Sequence, residues 1–237
     1  MAQLNASKAG RLAITGQSSH AAVRDGTTAN GVSVDPTFST SVAIRYSVQA
    51  GRSGNSFQIY RTFYYFDTSG ITGDVTNSTL NILGVSSNTG QFIVVPSTAF
   101  GGDGSADIVN TDYNNITFNT TLTAGQSGWS KTGNNAIAFR SNGSASGPAN
   151  TAIRDNDAFI VAVIEYEHDF SDSEPGSVPT AKSNGINYAT AAYLDYDEAG
   201  AASGPANLTS YNGIAKASIT SINGIAIANV TTLNGIS

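Results

Sequence analysis

The sequence predicts an all-β protein of the sandwich or barrel class, and three observations carry that expectation. Short runs rich in β-branched and aromatic residues recur between Gly, Asn, Asp and Ser clusters, at intervals of about eight to twelve residues. No interval carries roughly ten residues at helical spacing between capping residues, so an α/β scaffold is not expected. Charged residues make up 12% of the 237 positions, about half the roughly 25% usual in soluble domains. The surface must therefore be built from amides and hydroxyls.

In chain order, strands are expected at residues 41–48, 57–66, 79–85, 91–96, 114–119, 135–139, 158–167 and 191–196. Each is a run of Val, Ile, Tyr, Phe or Thr bounded by breakers, among them the segments 51–55, 101–104, 125–128, 141–148 and 171–179. A further strand at residues 11–15 is expected to pair with a neighbouring subunit. These elements divide the chain into an N-terminal arm (1–10), a β-domain (11–198), a small-residue linker (199–210) and a tail (211–237).

The tail carries a repeat. Asn-Gly-Ile recurs at Asn212, Asn223 and Asn234, 11 residues apart each time. The three units read Tyr211-Asn212-Gly213-Ile214, Ile222-Asn223-Gly224-Ile225 and Leu233-Asn234-Gly235-Ile236. Asn-Gly supports positive φ at successive positions, so each unit is expected to be a tight turn followed by a short strand. Units this small cannot bury a core alone, which makes these residues the expected oligomerisation or docking surface. Lys216 is the one charged side chain between Ala199 and Ser237. Ser-Gly-Pro-Ala-Asn, at 146–150 and again at 203–207, is read as convergence on a Gly-Pro turn.

Composition excludes several partners. Eleven Lys and Arg against 17 Asp and Glu give a net charge of −6, so no basic patch is available for nucleic acid. No apolar run approaches the roughly 18 residues of a membrane span. The absence of Cys removes disulfides, thiolate zinc sites and Cys nucleophiles together. The first residues show no charged region followed by an apolar run, so synthesis in a cytoplasm is expected. Asn-x-Ser/Thr triplets at Asn77, Asn142 and Asn207 are read as composition, not as glycosylation.

Candidate chemistry is sparse, and no catalytic residue is expected. His20 and His168, the only histidines, are expected on the solvated surface or at a strand edge, away from any nucleophile elbow. The carboxylate pairs Glu165/Glu167, Asp155/Asp157 and Asp195/Asp197 are expected on the solvent faces of strands. Asp103, Asp107 and Asp112 on and beside a Gly-rich loop could ligate Ca²⁺, although the EF-hand register and its closing Glu are missing. Such a structural Ca²⁺ is the one cofactor the residues leave open. In the strand at 57–66, period-two alternation puts Tyr60, Tyr64 and Phe66 on one face and Phe63 and Tyr65 on the other. One set is expected in the core, while the other stacks on sugar rings, packs under a loop or sits in a subunit interface. Tyr64 and Trp129 are the candidate ligand platforms.

Arg61, Phe66-Asp67-Thr68, Ile71 and the strand from Val75 to Ile82 together resemble a group of jelly-roll modules. These are carbohydrate-binding-like β-sandwiches of secreted surface proteins and phage virion proteins. The resemblance covers roughly residues 20–198, with Ala22–Gly26 and Tyr193–Tyr196 fitting the first and last strands. It implies a jelly-roll β-sandwich in which Arg61 and Asp67 are structural and Phe66 fills the core. The Asn-Gly-Ile tail is similar to the ends of tailed-phage particle proteins. Together they imply a virion protein of capsid decoration, head fibre or short fibre type, made in the host cytoplasm and assembled as a homo-oligomer, a trimer being expected. Capsid or tail components are its implied partners, with host-surface glycan as a further contact. The alternative is a secreted or surface carbohydrate-binding, adhesive module, or a strand-exchanged filament subunit.

Overall fold

A computed structural model describes residues 2–34, 41–141, 143–187 and 190–199, together with four short tail segments at 210–211, 214–215, 221–222 and 225–226. In chain order the first strands are β1 (Ala2–Asn5), β2 (Lys8–Gln17), β3 (Gly31–Val34), β4 (Ser41–Gly51), β5 (Gly54–Asp67) and β6 (Asp74–Asn88). Then follow β7 (Phe92–Pro96), β8 (Asn134–Ala138), β9 (Ala158–Glu165), β10 (Thr180–Ile186) and β11 (Tyr193–Ala199). Two short helices, α1 (His20–Arg24) and α2 (Pro148–Asp155), complete the domain. The protein is all-β: these eleven strands form one hydrogen-bonded network, ordered β1-β11-β6-β10-β4-β5-β2-β3, with β8 on β6 and β9 and β7 extending from β5.

Two long strands organise the network. β6 pairs with β11 and β8 through residues 74–83, then with β10 from Gly84 to Ser87, and so joins two limbs of the sheet. β5 is central. It pairs with β2 along one side, while the other side takes β4 and then β9.

Both faces of β9 and of the second half of β5 are buried, which explains why β9 runs continuously apolar and why β5 carries aromatic residues on both faces. Tyr64 and Phe66 of β5 and Phe159, Val161 and Val163 of β9 share one cluster with Leu80, Ile82, Ile137 and Leu194 of the other limb. On the opposite face, Phe57, Ile59 and Phe63 meet Ile160, Ala162 and Ile164. That second cluster is roofed mainly by irregular chain, through Val23 of α1 and Phe100, Ile108 and Tyr113. Both sets of alternating aromatics on β5 are thus core, although Tyr60 and Tyr65 stay half-buried.

Several expected elements differ. The first ten residues are not an arm, since β1 pairs with β11 and β2 with β5 of the same chain. Arg11 lies opposite Thr62, so the strand expected to reach a neighbouring subunit is filled internally. Residues 114–119 form no strand. Asn110–Asn114 is a 3₁₀ turn in which the Asp112 carboxylate accepts from the Val109 N–H at 3.0 Å and from Asn115 Nδ2 at 2.7 Å, a local competitor to strand pairing. The strand expected at 158–167 stops at Glu165, where the chain turns into a π-helical turn, Tyr166–Phe170. β10 was not expected at all.

In the tail, the first two Asn-Gly dipeptides are flanked by strand on both sides. β12 (Ser210–Tyr211) pairs with β13 (Ile214–Ala215), and β14 (Ser221–Ile222) with β15 (Ile225–Ala226). Tyr211 stands opposite Ile214, and Ile222 opposite Ile225, so both hairpins have one register. The turn residues Asn212, Gly213, Asn223 and Gly224, and the third unit at Leu233, Asn234, Gly235 and Ile236, lie outside the described residues.

Gly84 stands where β6 passes between limbs, and a Cβ there would collide with the Ser130 carbonyl, Trp129 Nε1 and Asn135 Nδ2. Gly84→Ala should cost about 2 kcal/mol or more in urea unfolding. Gly70→Ala, with nothing within 4 Å of the added carbon, should stay within about 0.5 kcal/mol of the parent.

Candidate functional site

The two candidate ligand platforms are both core residues. Tyr64 is buried, with its ring 6.5 Å from that of Phe66. Trp129 is 5% exposed; its Nε1 donates to the Gly185 carbonyl at 3.1 Å and its ring meets Phe92 edge-on at 5.0 Å. What remains accessible is one wall of an open cleft of about 500 Å³, whose lining includes Asn88, Thr89, Gln91, Ser127 and Lys131. Buried Asn184 braces the cleft, accepting from Ser87 Oγ at 2.9 Å and donating to the Gly90 carbonyl at 2.9 Å. Thr89 holds φ at 50°, a conformation a β-branched residue adopts only under strain.

The proposed Ca²⁺ ligands are separated by their own partners. Asp103 accepts from the Ser105 N–H at 2.9 Å, Asp107 lies 3.2 Å from Lys8 Nζ, and Asp112 is buried and caps its own turn. Among the described residues no group of three or more His, Asp or Glu side chains could hold a metal ion. The carboxylate pairs are likewise occupied. Asp155 bonds Arg154, Asp195 accepts from Asn81 and Asp197 from Asn77. Asp155 and Asp157 do line a shallow cleft beside Asp103.

The densest polar cluster lies inside the second core, and composition hid it. Arg61 is fully buried on β5. Its Nε and Nη2 donate to the Asp169 carboxylate at 2.9 and 2.6 Å, Nη1 donates to the Tyr113 carbonyl at 2.9 Å, and Nη2 to the Arg24 carbonyl at 2.7 Å. Burial is the largest influence and works against the guanidinium charge, but Asp169, Tyr113 and Asp25 together outweigh it and hold the Arg61 pKa above its ordinary value. The Arg61 partner is therefore Asp169. Asp67, paired with Arg61 in the sequence reading as a second structural residue, is exposed and bonds Ser69.

Both histidines are buried, contrary to the expected solvated positions. His20 Nε2 donates to the His168 carbonyl at 2.8 Å, and His168 Nδ1 to the Ser173 carbonyl at 2.5 Å. Their rings lie 5.6 and 4.4 Å from that of Tyr46. Glu165, expected on a solvent face, is buried too and accepts the backbone N–H groups of Glu167, His168 and Asp169. Those three bonds consume the backbone donors that strand pairing would have used, and they turn the chain inward. The alternation of charge and aromatic residues at 165–170 was the only local signal, and it reads equally well as a strand.

Burial pushes the Glu165 carboxyl from its ordinary 4.5 up to about 7, against the three N–H bonds that favour its charged form. Between those values the folded chain keeps a proton that the unfolded chain has released, so stability falls as pH rises through the window. Comparing urea midpoints from pH 4.5 to 7, Glu165→Gln should flatten that decline, a difference on the order of a few kcal/mol. Parallel pH profiles would contradict it.

No protein-family model matches this chain, and no curated protein matches it.

Proposed function

We propose that this chain is a non-enzymatic phage virion structural protein, of capsid decoration, head fibre or short fibre type. It consists of a jelly-roll β-sandwich that oligomerises, as a trimer, and docks on capsid or tail components through residues 211–237. Synthesis in the host cytoplasm and assembly onto the particle complete the reading.

The observation that carries it is the pair of tail hairpins. Each has two residues per limb, the two share one register at an 11-residue offset, and among the described residues neither pairs with any other strand. A single two-stranded hairpin is marginal in water at best, and ladders this short are weaker still. A tail with one charged side chain in 27 positions gains little from solvent and much from being covered by protein. Repetition adds to this, because equivalent surfaces at a fixed period stack on equivalent surfaces of other copies.

A second reading is a secreted or surface carbohydrate-binding, adhesive module. The cleft beside Trp129, lined by amides, hydroxyls and Lys131, favours it, but it gives the repeat tail no role.

The test compares the full chain with residues 1–198 by light scattering after size exclusion. The full chain should run as a trimer and the truncated chain as a monomer. Equal oligomeric states would remove the tail from assembly and with it the main support for this reading.

A further inference from the structure

The outermost strands of the network, β1, β3, β7 and β8, are where another chain can add. The far side of β7 is already filled. The Val94 carbonyl accepts from the Leu122 N–H at 2.9 Å, and Phe92 exchanges two backbone bonds with Gln126. β1 and β3 each run into residues outside the described set. β8 is described on both flanks and, among the described residues, pairs with β6 alone.

The bonding pattern of β8 fixes which backbone groups point away from the sheet. The Phe139 N–H donates to the Ser78 carbonyl at 3.4 Å, and the Gly84 N–H donates to the Gly133 carbonyl at 3.0 Å. Positions 133, 135, 137 and 139 therefore face β6, and alternation turns the N–H and C=O groups of Asn134, Ala136 and Ala138 outward. The next outward group, the Arg140 N–H, donates to the Leu122 carbonyl at 2.7 Å. The outward groups of Asn134, Ala136 and Ala138 have no partner among the described residues. All three residues are exposed, alternating with buried Asn135 and Ile137.

This edge lacks the usual guards. Exposed edge strands ordinarily carry a Lys, a Pro or a bulge, whereas β8 reads Asn-Asn-Ala-Ile-Ala in unbroken register with β6. Ala136 and Ala138 are too small to hold off a neighbouring backbone, and they offer little apolar surface. A partner gains from the edge by supplying backbone donors and acceptors, since burying these groups unpaired is costly. That describes an extended, uncharged strand. The tail supplies such strands. β12 pairs with β13 and β14 with β15 and, among the described residues, with nothing else, so the outer side of every limb is open. Lys216 is the one charged side chain in that part of the sequence.

We propose that a tail strand of one copy adds to the β8 edge of a neighbouring copy, extending its sheet through backbone hydrogen bonds to Asn134, Ala136 and Ala138. The inference rests on the assembly reading above, in which the tail holds copies together. It names the surface of the domain that receives the tail. Neither partner brings a charge to the contact, so pairing desolvates none.

The test is hydrogen–deuterium exchange at residue resolution on the full chain and on residues 1–198, which keep both core clusters. The amides of Asn134, Ala136 and Ala138 should exchange about tenfold or more slower in the full chain. Those of Asn135 and Ile137, directed at β6, should be slow in both. In the full chain, Ala136→Pro removes one outward donor and leaves the β6 pairing intact. It should keep the parent's urea midpoint yet run as a smaller species by light scattering, while Ala136→Ser, which retains the N–H, should assemble as the parent does. The proposal is overturned if the three amides exchange equally fast in both chains, or if a folded Ala136→Pro protein keeps the parent's oligomeric state. In either case a monomeric 1–198 chain still leaves assembly to the tail, docked elsewhere. If residues 1–198 assemble as the full chain does, the assembly reading and this proposal fall together. If residues 1–198 protect these amides by self-association, the occupant is a second β8 edge and the proposal is again overturned.

Discussion

The buried ion pair between Arg61 and Asp169 is the constraint on which the rest of the domain depends. Arg61 projects from the central strand β5, and its four hydrogen bonds reach three separate pieces of irregular chain. Asp169 lies in the turn after β9, the Tyr113 carbonyl in the roof segment, and the Arg24 carbonyl at the end of α1. None of these pieces is long enough to hold its own conformation. A fully buried guanidinium with several directed donors fixes all three to one point, and Tyr113 adds its ring 4.1 Å from Arg61 Cζ. Desolvating two charges is costly, so the pair specifies an arrangement more than it adds net stability.

That constraint answers a problem set by the strands. A sheet that buries one face against its other limb leaves the second face apolar, and among the described residues no further sheet covers it. Irregular chain with α1 does so, and irregular chain brings backbone polar groups into the core that must find partners. The Arg61 cluster, the Glu165 carboxylate and the Tyr113 hydroxyl, which donates to the Val23 carbonyl at 2.7 Å, meet that need. Elsewhere amides replace the missing charges. Asn134 donates to Asn81 at 2.6 Å and Asn81 to Asp195 at 3.1 Å, crossing three adjacent strands. Ser78 and Asn150 join α2 to β6 in the same way. Low charge is thus a property of how the domain is cross-linked as well as of its surface.

The sequence made the all-β class legible, and the central strands β4, β5, β6, β7 and β9 fall close to the expected runs, because β-branched and aromatic clustering is a local signal. What it could not reveal was pairing at a distance. Arg61 was recognisable as structural, yet its partner stands 108 residues away, and nothing local marks Asp169 among its acidic neighbours. Glu165 and His168 misled for the same reason, since charge argues for solvent until a neighbouring backbone is placed. Trp129 and Tyr64 could have been anchors or platforms on composition alone, and only the Gly185 and Phe92 contacts decide for Trp129. The short strand after Asn-Gly was legible in the first two units, because the dipeptide favours a tight turn between strands. The strand before Asn-Gly in those two units was not, for two residues carry almost no pattern.

The most direct measurement is a double-mutant cycle on the buried pair, read by urea unfolding. Arg61→Met and Asp169→Leu should each cost about 3–5 kcal/mol by stranding a buried charge. The double variant should cost clearly less than the sum, since it strands none. If Arg61→Met lies within about 0.5 kcal/mol of the parent, the roof is held by its apolar contacts and the ion pair is incidental.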